Sequence, residues 1–124
     1  MGPAERALRA CVRPGQILRT RARSARFEIG AITSKSLTLR LGQGRWATPL
    51  TWECLEGVVP FVRQRGGSVE IGSRFDTGSK PGTLDSYLKP FINRATGPWV
   101  AAVFVEAGLL EFVDKRPLAV RVPR

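Results

Sequence analysis

Three arginines at alternate positions, in Arg19-Thr20-Arg21-Ala22-Arg23, are the residues of this chain best suited to chemistry, and that chemistry is phosphate binding. On an extended segment, side chains two residues apart share a side, so these guanidiniums would be spaced roughly 6.6 Å apart. Each planar fork can donate two parallel hydrogen bonds to phosphate oxygens, which suits such a row to a polyanion backbone. Arg13 precedes the run and Arg26 follows it. Arg40 and Arg45 are expected on the sheet face opposite Leu39 and Leu41, next to the same strip. The plainer expectation for residues 21–25 is a solvated, charged hairpin tip. Nearby Trp46 is expected in the core first, and as a platform for a stacked base second.

Charge supports the polyanion reading. The chain of 124 residues has 20 Lys and Arg against 10 Asp and Glu, a net +10. Residues 1–50 hold ten basic and two acidic residues, +8, while residues 51–124 hold ten and eight, +2. A one-signed surface attracts polyanions at long range, and nucleic acid fits that field best. An anionic membrane would call for a longer amphipathic helix than residues 4–12 can form. No run approaches the roughly 18 apolar residues of a membrane span, and the first residues lack an apolar signal sequence, so a cytoplasmic protein is expected. Cys11 and Cys54 are expected to be ordinary reduced thiols.

The chain contains no histidine, which excludes Ser-His-Asp, Cys-His and histidine-metal chemistry. Carboxylates remain. Glu70, Asp76 and Lys80 lie in and before a polar stretch, and could hold Mg²⁺ for phosphodiester cleavage, although their spacing matches no strict nuclease motif. Glu53, Glu56 and Glu106 are expected on solvated helix faces or paired with arginines. Gly42-Gln43-Gly44 is too short for a dinucleotide fingerprint, and no cofactor is implied.

The elements that must position these residues read as an α+β domain spanning residues 1–124. Residues 1–13 form a short helix or a basic arm, ended by Pro14-Gly15. Residues 15–48 carry period-two alternation, Phe27, Ile29 and Ala31, then Leu37, Leu39 and Leu41, which predicts a small antiparallel meander of three or four strands. Thr48 and Pro49 look like the cap and first residue of a helix closed by Gly57, with a break near Pro60. Ser68 to Ile71 is a short strand, and residues 72–82 form a polar loop. Thr83 caps a helix whose apolar face runs from Leu84 through Leu88, Phe91 and Ile92 to Ala95, with a kink imposed by Pro90. Tyr87 belongs to that helix. Gly97-Pro98 opens a further helix ended by Gly108, and a C-terminal hairpin turns at Asp114-Lys115-Arg116-Pro117.

Helices followed by a basic-tipped hairpin resemble a winged helix over roughly residues 50–122. The resemblance implies that Lys115 and Arg116, at the wing tip, meet phosphates. It also implies that the helix before the wing reads bases in the major groove. Residues 99–107 are nearly all apolar, however, so this helix is expected in a core or a subunit interface, and Lys89 and Arg94 would grip phosphates instead. The reading is therefore a non-enzymatic nucleic-acid-binding accessory or regulatory protein, DNA ahead of RNA. Its site is Arg13, Arg19, Arg21, Arg23, Arg26, Arg40 and Arg45, with Lys115 and Arg116 as a second contact. Two alternatives stay open. One is a protein-interaction module, binding an acidic partner or forming a homodimer through exposed valines of the apolar helix; the other is a small Mg²⁺-dependent nuclease.

Overall fold

A computed structural model of the protein describes residues 1–42, 44, 46–72, 81–92 and 96–123. The expected meander is present as β1 (Ile17–Arg19), β2 (Arg26–Ile32), β3 (Ser36–Leu41) and β4 (Trp46–Thr51), antiparallel in the order β1-β2-β3-β4. Phe27, Ile29, Leu37, Leu39, Leu41 and Leu50 point inward and are buried. The alternation slips once. A register shift between Ile29 and Ile32 leaves Ala31 exposed and pairs Ile32 with Leu37, so Ile32, not Ala31, takes the next inward place.

Thr48 and Pro49 do not start a helix. Both belong to β4, an edge strand where a residue without an N–H is tolerated, and the helix begins three residues later. There Thr51 Oγ1 accepts the Cys54 N–H at 3.2 Å, opening α2 (Trp52–Glu56). The break expected near Pro60 falls at Gly57, between α2 and α3 (Val58–Gln64). Pro60 then sits in the first turn of α3, where a missing N–H costs nothing.

The N-terminal segment is a docked helix, α1 (Pro3–Cys11), with Ala4 and Leu8 in the core. Glu56 is half-buried rather than on an open helix face. Its carboxylate accepts the N–H groups of Ala4 (3.0 Å) and Glu5 (2.9 Å), supplying from α2 the cap that α1 lacks.

After α3 come β5 (Val69–Glu70), α4 (Leu84–Leu88), α5 (Gly97–Glu106), β6 (Glu111–Val113) and β7 (Ala119–Arg121). The last hairpin recruits β5 into a second antiparallel sheet of order β5-β7-β6. Thr83 caps α4 as expected, accepting from the Ser86 N–H at 3.1 Å, but α4 stops at Leu88. Pro90 cannot continue it, and Phe91 turns out to solvent, 45% exposed. Tyr87 fills the gap between α2 and α3, donating its hydroxyl to the Cys54 carbonyl at 2.7 Å and packing on Phe61.

The apolar helix α5 lies inside the core with Val100, Ala101, Val103 and Phe104 buried. The exposed valines expected to centre a subunit interface are therefore spent on internal packing. One cluster of buried side chains takes members from α1, the meander, α5 and the C-terminal sheet. Among the described residues no helix is long and apolar enough to cross a membrane.

Both cysteines are free, Cys11 exposed and Cys54 buried. Burial pushes the Cys54 thiol up to about 12, so almost no thiolate exists near neutrality. A thiol reagent at pH 8 is expected to modify Cys11 alone in the folded protein and both cysteines in denaturant. Equal rates at the two positions would show that Cys54 is not in the core.

Candidate nucleic-acid interface

In a meander the first and third turns lie at one end of the sheet and the second turn at the other. The registers Arg19↔Arg26, Glu28↔Arg40 and Leu41↔Trp46 therefore put Arg19, the turn 20–25, Arg26, Arg40 and Trp46 at a single end. Arg19, Arg26 and Arg40 also share the outer face of the sheet, since Phe27, Leu39 and Leu41 alternate with them and point inward. All three are exposed. Arg19 and Arg26 are direct cross-strand partners, a like-charged pairing that destabilises a sheet slightly and that an anion would relieve.

The period-two strip through Arg19, Arg21 and Arg23 is not extended. β1 ends at Arg19, and the chain turns at once: Thr20 donates its N–H to the Ala25 carbonyl (3.0 Å), Ser24 donates to the Thr20 carbonyl (2.9 Å), and Thr20 Oγ1 accepts the Ala25 N–H (3.1 Å). Ser24 takes a left-handed φ of 52° to close it. The solvated hairpin tip is thus the correct geometry. The arginines point off a turn, and Arg19 donates to the Ser24 carbonyl at 2.9 Å.

Arg21 is matched by an acid. Its guanidinium makes a two-pronged contact with Asp114, 2.6 Å from Oδ2 and 3.1 Å from Oδ1, and lies 5.5 Å from the Phe112 ring centroid. The hydrogen bond holds the Asp114 carboxyl below the usual carboxylate range and raises Arg21. The consequence is architectural, because Asp114 stands at the tip of the β6–β7 hairpin. The pair latches the first hairpin tip to the last, so that exposed Arg23 and exposed Lys115 and Arg116 belong to adjoining turns.

Arg40 lies across Gly30, where an added methyl group would come within 3.4 Å of its Nε. Glu28, opposite Arg40 in the register, brings a carboxylate to the same face. Arg13 is apart from the group. It precedes β1, near Ile29, whose N–H donates to the Gln16 carbonyl, and it lines a shallow cavity of about 390 Å³ with Ala10, Cys11, Pro14 and Gln16. Arg45 lies outside the described residues, as do Arg94, Asp76 and Lys80. Lys89 is exposed just beyond α4, remote in sequence and sheet from the cluster.

Trp46 is not a core residue. It stands at the first position of β4 and is 63% exposed, whereas Trp52 is buried and donates its Nε1–H to the Thr33 carbonyl at 2.9 Å. Among the described residues no group of three His, Cys, Asp or Glu side chains could hold a metal ion. Compared with protein-family models, with curated proteins and with solved structures, the chain finds no match.

Proposed function

We propose that the protein grips the phosphate backbone of nucleic acid, DNA in the first instance, at the end of its four-stranded sheet. The observation that carries this reading is convergence. Arg19, Arg23, Arg26 and Arg40 gather at one end of the meander, and the Arg21–Asp114 latch brings the tip bearing Lys115 and Arg116 alongside. Six cations on two adjoining turns and one sheet face make a field that phosphates would neutralise.

The element order α3-β5-α4-α5-β6-β7, with sheet order β5-β7-β6, resembles a winged helix, in which the hairpin tip is a phosphate contact. The helix that would read bases in that plan is α5, and its side chains are in the core. Contacts of this kind position a nucleic acid without specifying its sequence, so a regulatory role would depend on structure more than on base order.

A gel shift with duplex DNA, single-stranded DNA and RNA at several salt concentrations tests the reading. If about six phosphates are neutralised, the log of the binding constant falls against log salt with a slope near 5. A slope near zero, or no binding at low salt, removes it.

A further inference from the structure

We infer that Trp46 is a stacking platform for an unpaired base, so that the nucleic acid held at this end of the sheet is single-stranded there; this rests on the phosphate-binding reading above. An indole gains most from burial of any side chain, yet this one stands 63% exposed. It does so at the sheet end that also carries Arg19, Arg26 and Arg40, its side chain on the inward side of β4 and theirs on the outer face.

Its position is built by glycine. A methyl group on Gly44 would fall 2.9 Å from the indole Nε1, and one on Gly42 would fall 3.6 Å from Cδ1. Gly42 has a φ of 72°, a backbone that other residues rarely adopt. The pyrrole edge of the ring therefore rests on bare backbone. That contact limits the ring's freedom and leaves much of its surface in water.

A flat aromatic surface at the same sheet end as the guanidiniums, reached by a strand that rounds that end from the outer face, matches one ligand chemistry, a nucleotide, which offers a π-face and an anionic backbone together. Bases inside a duplex stack on each other and have no free face. The platform therefore selects a strand whose bases are open, while the arginines alone hold either form. An apolar protein surface, or a second copy of this chain, would cover the indole too. The net charge of +10 disfavours a second copy, because like-charged molecules repel.

The test follows a labelled oligodeoxythymidylate and a duplex of equal length binding to the full chain and to its Trp46→Ala and Trp46→Phe variants. Trp52 is buried and Trp99 half-buried, so quenching of the indole emission by the single strand reports chiefly on Trp46. Trp46→Ala is expected to weaken single-strand binding about tenfold, the weight of one stacked base, and Trp46→Phe to recover part of it. Duplex affinity stays unchanged in both. Equal losses for both ligands, or no loss for either, overturn the platform while leaving the phosphate reading standing. Failure of the unaltered chain to bind either ligand overturns both. A dimer seen by sedimentation without nucleic acid, and lost in Trp46→Ala, assigns the indole to a second copy and also overturns the platform.

Discussion

Replacing Arg19, Arg26 and Arg40 together by alanine is expected to weaken DNA binding about a hundredfold at 0.15 M salt. Each neutralised phosphate contributes roughly 0.9 to the salt slope, hence about 0.7 log unit at that salt, and three lost contacts give about two log units. The slope itself should fall by about 2.7. Thermal stability should barely move, because exposed charges contribute little to folding and Arg19 and Arg26 oppose each other across the ladder. Fluorescence anisotropy at four salt concentrations gives both numbers. Undiminished affinity with an unchanged slope would mean that this face does not meet the phosphates. Arg21 is left out of the set because its charge already faces Asp114.

How far such a site can be read from sequence depends on whether its parts are local. Arg40 opposite Leu39 and Leu41 follows from alternation within one strand, and its outward position is where the period-two pattern puts it. The Arg21–Asp114 contact joins residues 93 apart, and no spacing rule connects two hairpin tips. A separation of 52 residues likewise hides the Glu56 cap on α1, since a glutamate in a short helix carries no mark of an acceptor for another helix's N–H groups. Trp46 misleads for a different reason. It shares the inward side of β4 with Thr48 and Leu50, but it stands at the strand's first position, facing a glycine turn. Gly42 and Gly44 were the available clue, as glycines two apart beside a large ring indicate a close approach of ring and backbone.

The elements themselves were more legible than their limits. Strong alternation located β2 and β3, and the Pro-first, Gly-last pattern located α5 despite its valines. Thr48-Pro49 satisfies the local rules for a helix start equally well as an edge strand, and the decision is made by pairing with β3, through Leu39↔Thr48 and Thr38↔Pro49. At the far end of α4, the kink expected at Pro90 is instead the end of the helix, although the apolar spacing runs on to Ala95.

Asp85 is where folding stability should respond most sharply. It is 3% exposed, its Oδ1 accepts the Gly97 N–H at 2.6 Å, and its own N–H donates to the Ile71 carbonyl at 3.0 Å. One residue thus ties the exit of β5, through its backbone N–H, to the start of α4 and, through its carboxylate, to the start of α5. Methyl groups on Gly72 or Gly97 would lie 2.7 and 2.5 Å from its carboxylate oxygens, so both glycines are part of the fit. Asp85→Ala strands a buried N–H at the start of α5 and is expected to cost about 2–3 kcal/mol. Asp85→Asn keeps an acceptor for Gly97 and should cost less. Burial pushes the carboxyl above its ordinary 3.8, against the opposing pull of the Gly97 hydrogen bond. The folded protein then holds this proton more tightly than the unfolded chain. Between 3.8 and the raised value stability falls as pH rises, and it levels off above. The opposite contribution of Asp114, whose carboxyl is lowered, is common to wild type and Asp85→Asn and cancels in their difference. Urea unfolding of the two proteins from pH 3.5 upward should therefore show the asparagine variant gaining on the wild type through that window. Parallel curves would mean that Asp85 ionises as freely in the folded protein as in the unfolded chain.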